Sequence, residues 1–235
     1  MRPHARRWVA ASGLALVATM AAACGSGSSG GSLATSSSPK PGTLNANGCT
    51  TPPALQQNHL KFAHEPPLKI ARTTYTARIV TNCGTIIVKL FGAKAPQTVN
   101  SFAFLAGRGY FNDTPCHRLT TQGIYVLQCG DPTGTGTGGP GYTLPEENLR
   151  GATYPAGTVA MARTQAPHSG GSQFFLVYQD STSGLQPLYT PFGRVTAGLS
   201  ILQRIAKAGS DNSNGPGDGH PNQPVVIESF AVTKG

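Results

Sequence analysis

The sequence predicts a mainly β fold, an antiparallel barrel or sandwich with two helical covers. Three observations predict it: apolar residues alternate at period two through several short segments, 30 Gly and 19 Pro punctuate the 235 residues, and only two stretches carry a helical period. A chain that is 38% hydrophobic and 11% charged can bury a core, which argues against both a disordered chain and a helical bundle.

The first residues stand apart from that domain. Arg2, Arg6 and Arg7 precede the uncharged run "WVAASGLALVATMAAA", which ends at Cys24, and this three-part pattern predicts an export signal over 1–23. The run is 16 residues long, short of the ~20 that span a bilayer, so cleavage is favoured over a retained anchor. Cys24 follows Ala21-Ala22-Ala23 and resembles a lipobox cysteine, with Ala21 where Leu is usual; ordinary secretion stays open. Residues 24–48 read as a Ser/Gly/Pro-rich tether holding a domain off a membrane. Residues 49–71 read as a Pro-rich extension lying on the domain.

From Arg72 the strands begin. "TYTARIVT" and "TIIVKL" alternate around the turn "NCG" and form a hairpin. Pro96 opens a helix whose Val99, Phe102, Ala103 and Leu105 share a face, and Gly107 and Gly109 end it. Strands follow at "PCHRL", "IYVLQC", "TVAMA", "QFFLVY", "FGRVT" and "PVVIESFAVT", with a second helix, "LSILQRIAKA", stopped by Gly209.

The formal charge of +9 falls to +6 once the three leader arginines are removed. The remaining basic residues form no run or aromatic-interleaved stripe, so a solvated surface near an anionic envelope is expected, and no nucleic-acid partner. His117 beside Cys116 raises a nucleophile or zinc pair, but adjacent strand residues point to opposite faces. "GTGTGG" lacks the Lys-Ser/Thr of a phosphate loop. No metal and no cofactor is expected. Cys116 and Cys129 lie on consecutive strands and either close a disulfide or stay as buried thiols; Cys49 could then latch onto Cys83.

"CHRL", "LQCGDPTGTGTGGPGY", "GTVAMAR", "GGSQFFLVY" and "FGRV" occur in the order and spacing of the cyclophilins, and the chain resembles that family of peptidyl-prolyl cis-trans isomerases from about Arg72 to Gly235. It looks closest to an actinobacterial lipoprotein branch. The resemblance implies a closed eight-stranded antiparallel barrel with a helix over each end and a groove on its outer surface. It implies a catalytic arginine at Arg118, which taken alone would read as a solvated strand residue.

It also implies a proline pocket of Tyr125 or a neighbour, Val126, Phe175, Leu185 (Leu188 as alternative) and Tyr189, and peptide contacts from Gln128, Gly136, Ala162, Arg163 and Gln173. A two-residue insertion between Arg118 and Asp131 blurs the pocket aromatic. Phe174 and Phe175 should divide, one inward and one toward the groove. Gly184 stands where many members carry a tryptophan, which implies weak cyclosporin binding. The expected substrates are proline-containing polypeptides outside the cell membrane, met by a lipid-anchored monomer. A proline-binding or holdase module without rate is the alternative.

Overall fold

A computed structural model describes residues 42–55 and 60–235. The leader, Cys24 and most of the tether lie outside them. Ten strands and two helices follow in chain order: β1 (Thr74–Thr81), β2 (Gly84–Phe91), α1 (Pro96–Gly107), β3 (Thr114–Pro115), β4 (Arg118–Thr120), β5 (Val126–Cys129), β6 (Thr158–Met161), β7 (Phe174–Val177), β8 (Pro191–Ala197), α2 (Leu199–Lys207), β9 (Asp218–Gly219) and β10 (Val226–Lys234).

All pair antiparallel in one curled sheet of order β3-β10-β1-β2-β8-β6-β7-β5-β4-β9. The hairpin of β1 and β2 has the expected register, Thr81 facing Gly84 across the turn. Gly84 has φ +125°, a conformation only glycine adopts without strain.

The sheet is not the closed eight-stranded barrel. It has ten strands and two free ends, β3 and β9, and forms a half-barrel. The segment read as one strand, "PCHRL", is split: β3 pairs with β10, whereas β4 pairs with β5 and β9. Pro115 has no N–H to continue a ladder, and the Cys116 N–H donates instead to the Val225 carbonyl at 2.9 Å. The other end, β9, is two residues long between Gly217 and His220, too short to take a further partner.

The core lies between the sheet and α1, which buries Val99, Phe102 and Leu105. Phe102 is the hub of an aromatic cluster, with ring centroids 4.6 Å from Phe192, 5.3 Å from Phe111 and 5.5 Å from Phe174. Both candidate disulfides are formed, Cys49–Cys83 and Cys116–Cys129.

The described part of the extension is fastened to the domain at several points. The Thr50 N–H donates to the Asn82 carbonyl (2.8 Å), and just before the extension, at the end of the tether, Arg204 Nε donates to the Asn47 carbonyl (2.6 Å). Asn100 of α1 donates to the carbonyls of Pro66 and Pro67 and accepts from the Lys69 N–H. The Phe62 ring sits edge-on to Phe104 at 4.9 Å.

Candidate active site

Antiparallel register sets Arg118 of β4 directly opposite Gln128 of β5, and Gln128 opposite Phe175 of β7. Side chains opposite one another lie on one face, so the ladder itself gathers these residues. Arg118 Nε donates to Asp218 Oδ1 (2.8 Å), Nη2 to Asp218 Oδ2 (2.6 Å), and Nη1 to Gln128 Oε1 (3.2 Å). Gln128 Nε2 donates to Gln173 Oε1 (2.8 Å), whose own Nε2 donates to the carbonyls of Gly136 and Gly138. A directed relay thus runs from the Asp218 carboxylate to the glycine-rich loop.

The fork of Arg118 matches the carboxylate bidentately, which fixes the guanidinium plane at a partly exposed position (33% of its side chain). The hydrogen bonds from Arg118 hold the Asp218 carboxyl below the usual range, so this clamp stays intact across neutral and mildly acidic pH.

Beside the relay lies a second apolar cluster, separate from the main core. Val126 and Phe175 form its floor (2% and 4% exposed) with Ala160, Val177 and Tyr154, and Ile124, Ala162, Leu185 and Tyr189 pack around them, partly exposed. Tyr154 is wholly buried and sets the rim: its hydroxyl donates to the Tyr189 carbonyl (2.9 Å) and accepts from the Tyr189 N–H (3.1 Å). Phe174 and Phe175 divide, the first into the core and the second into this cluster.

Most of the expected residues converge here, and Tyr125 does not. Its ring lies 6.0 Å from Tyr178 against the main core. Ile124, in the bend just before β5, packs on the cup cluster instead, so it takes the position left ambiguous by the insertion. Leu185 belongs to the cluster; Leu188 is 42% exposed and outside it. The Arg163 guanidinium turns onto its own loop, donating to the carbonyls of Thr164 and Gln165 with Glu146 3.5 Å away.

The insertion also crowds Gly184, leaving no room for a side chain there. A Cβ at Gly184 would lie 2.4 Å from the Gly123 carbonyl oxygen and 2.7 Å from Ile124.

Asp131 organises the glycine-rich loop. Its carboxylate accepts from Thr133, Thr135 and the Gly138 N–H. Burial pushes its pKa up, but these bonds outweigh burial and the net shift is downward. A Cβ at Gly138 would fall 1.9 Å from Asp131 Oδ1, so close approach demands glycine there.

Cys116 is bonded to Cys129, which removes it as a nucleophile. His117 is 6% exposed, and both ring nitrogens are buried without a well-formed hydrogen bond, with the Gln173 side chain acting on the ring. Burial lowers its pKa, with Arg118 adding to the effect and Asp131 opposing it.

A depressed histidine pKa means that the unfolded chain takes up a proton the folded chain refuses, so stability falls as pH drops below about 6.5. His117→Asn is expected to flatten that fall. Urea midpoints at three pH values between about 5 and 7.5 check this, and parallel pH dependences in the two proteins would contradict it.

Asp218 and Tyr154 are the site residues that sequence reasoning missed. Asp218 lies 100 positions from Arg118 in a glycine-rich turn, and no local pattern connects them.

A mainly β half-barrel with an outward-facing arginine, two relayed glutamines and an apolar cup defines a cyclophilin-like domain. Residues 76–232 match the family described as cyclophilin type peptidyl-prolyl cis-trans isomerase/CLD, and the chain belongs to that family. It is 47% identical over 173 residues to the probable peptidyl-prolyl cis-trans isomerase B of Mycobacterium leprae, covering 68% of this chain and 57% of that protein. It is 43% identical over 188 residues to the protein of the same name from Mycobacterium tuberculosis, covering 71% and 59%. The chain thus spans less than two thirds of the length of these relatives.

A crystal structure of a cyclophilin type peptidyl-prolyl cis-trans isomerase from Cryptosporidium parvum, determined in the presence of the dipeptide Ala-Pro, superposes with a TM-score of 0.59. It has 28% identity and covers 68% of this chain and 99% of that one.

Proposed function

We propose that this chain is a peptidyl-prolyl cis-trans isomerase acting on X-Pro bonds of exported polypeptides. The observation that carries the reading is the clamped guanidinium of Arg118 beside the apolar cup, supported by the family to which the chain belongs.

Rotation about a prolyl bond faces a barrier of about 18–20 kcal/mol because amide resonance must be lost. Turnover near 10³ per second needs that barrier lowered by about 6–7 kcal/mol. As the bond twists, the prolyl nitrogen loses conjugation and gains a lone pair. Arg118 still has N–H donors beyond those given to Asp218 and Gln128, and one can engage that lone pair. The planar amide nitrogen accepts no such bond, so the interaction favours the twisted state selectively.

Val126 and Phe175 hold the proline ring, with Ile124, Leu185 and Tyr189 as the rim. Gln128, Gly136, Gln173 and the main chain of Ala162 and Arg163 hold the preceding residues. Tyr189 replaces a family histidine with a ring that stays apolar toward the cup. The occupied space at Gly184 supports weak cyclosporin binding.

The leader pattern supports export, and Cys24 supports a lipid anchor holding a monomer on the outer face of the membrane, with secretion as the alternative. Proline-limited refolding of a small protein with a native cis-prolyl bond tests the reading. The slow phase, tens of seconds uncatalysed, is expected to shorten in proportion to added protein. A slow phase left unchanged while aggregation falls would favour the holdase.

A further inference from the structure

Beyond Gln128 and Gln173, on the side away from the cup, lies an open groove of about 530 Å³. Ala162 belongs to both, so a peptide with its proline in the cup would run its preceding residues into this groove. Hydroxyls of Thr137, Thr164 and Ser169 line it, together with one residue from outside the barrel, Lys61 of the extension.

Lys61 is placed there by a built contact. The Phe62 N–H donates to the Pro140 carbonyl (2.8 Å), and the Phe62 ring packs on Phe104. Gly141 has φ +95°, and a Cβ on it would lie 2.7 Å from the Phe62 carbonyl oxygen, so the loop is shaped to receive the extension. The Lys61 ammonium reaches the Gly139 carbonyl.

The charge balance of the groove rests on Lys61. Arg163 is the other cation lining it, and Glu146 already faces it at 3.5 Å. Among the described residues no carboxylate lines the groove. Asp131 is committed to Thr133, Thr135 and Gly138, Glu146 also faces His168 at 2.9 Å, and Glu65 lines a different cavity with Gln97 and Asn100, reaching this groove electrostatically at Tyr142. A carboxylate entering among the hydroxyls would meet an ammonium that forms no ion pair among the described residues.

We infer that Lys61 makes the extension a specificity element, selecting substrates with an acidic side chain shortly before the proline. This rests on the isomerase reading for the direction of the peptide.

The test uses the full chain and three blocked peptides, Glu-Ala-Pro, Gln-Ala-Pro and Lys-Ala-Pro, with Kd and kcat/KM both read by NMR. The wild type is expected to favour the Glu over the Lys peptide by about threefold, as suits an exposed ion pair. The preference should vanish in about 1 M salt, where the screening length falls to about 3 Å. Lys61→Glu should invert the ranking, and Lys61→Arg should keep it, which a merely structural Lys61 would not explain.

Turnover of all three peptides with one Glu-to-Lys ratio in wild type and Lys61→Glu would overturn the acidic preference and leave the isomerase. A charge ranking in Kd without acceleration of the Gln peptide would overturn the isomerase and uphold the preference. Failure of every peptide to bind would overturn both.

Discussion

Arg118→Ala is expected to lower kcat/KM for an Ala-Pro peptide by about 10²–10³, the loss seen when one donor aimed at developing charge is removed. Binding of the ground-state peptide should change far less, because cup, glutamines and loop remain. The effect should therefore fall mainly on kcat.

Arg118→Lys is expected to recover only part of the loss. A lysine keeps the charge but cannot hold both Asp218 oxygens and Gln128 in one plane. Kinetics of the wild type and both variants, with the fold checked by circular dichroism, separate the cases. A loss confined to KM would mean that Arg118 only binds.

The second large effect is on stability. Phe102→Ala is expected to destabilise the domain by about 3–5 kcal/mol. The side chain is wholly buried and touches rings from the loop after α1 and from β7, β8 and β10 (Phe111, Phe174, Phe192 and Phe230), so a cavity there would loosen the contact between helix and sheet. Urea unfolding measures it, and a loss below about 1 kcal/mol would show that the cluster can collapse around the gap.

The contrast between these two residues shows what the sequence made legible. Phe102 sits in a helical stripe behind Pro96, and its burial follows from period and capping alone. The first hairpin was equally plain, because the apolar residues of "TYTARIVT" and "TIIVKL" alternate for most of their length around a tight turn. Arg118 was legible only through its company of motifs, since one arginine on a short strand carries no sign of its partner.

What sequence could not supply is instructive in each case. β9 is two residues in a glycine-rich turn, with no period to detect, and its Asp218 reaches Arg118 only through tertiary pairing. The break at Pro115 that leaves the ladder open was hidden inside an otherwise strand-like run. The resemblance pointed to Tyr125 or a neighbour because the insertion blurs the register, and packing decides it: Ile124 lies against the cup while the Tyr125 ring lies on Tyr178. Lys61 looked like one more scattered surface charge until the docking of Phe62 on Pro140 set it in the groove.

The central claim is catalysis by a non-covalent site. Two-dimensional exchange NMR on the cis and trans resonances of an Ala-Pro peptide, with the wild-type protein far below the peptide concentration, tests it most directly. Exchange cross-peaks within about a second are expected, where the free peptide needs tens of seconds or more. Resonances that shift on binding yet show no cross-peaks would contradict the account and leave a proline-binding module in its place.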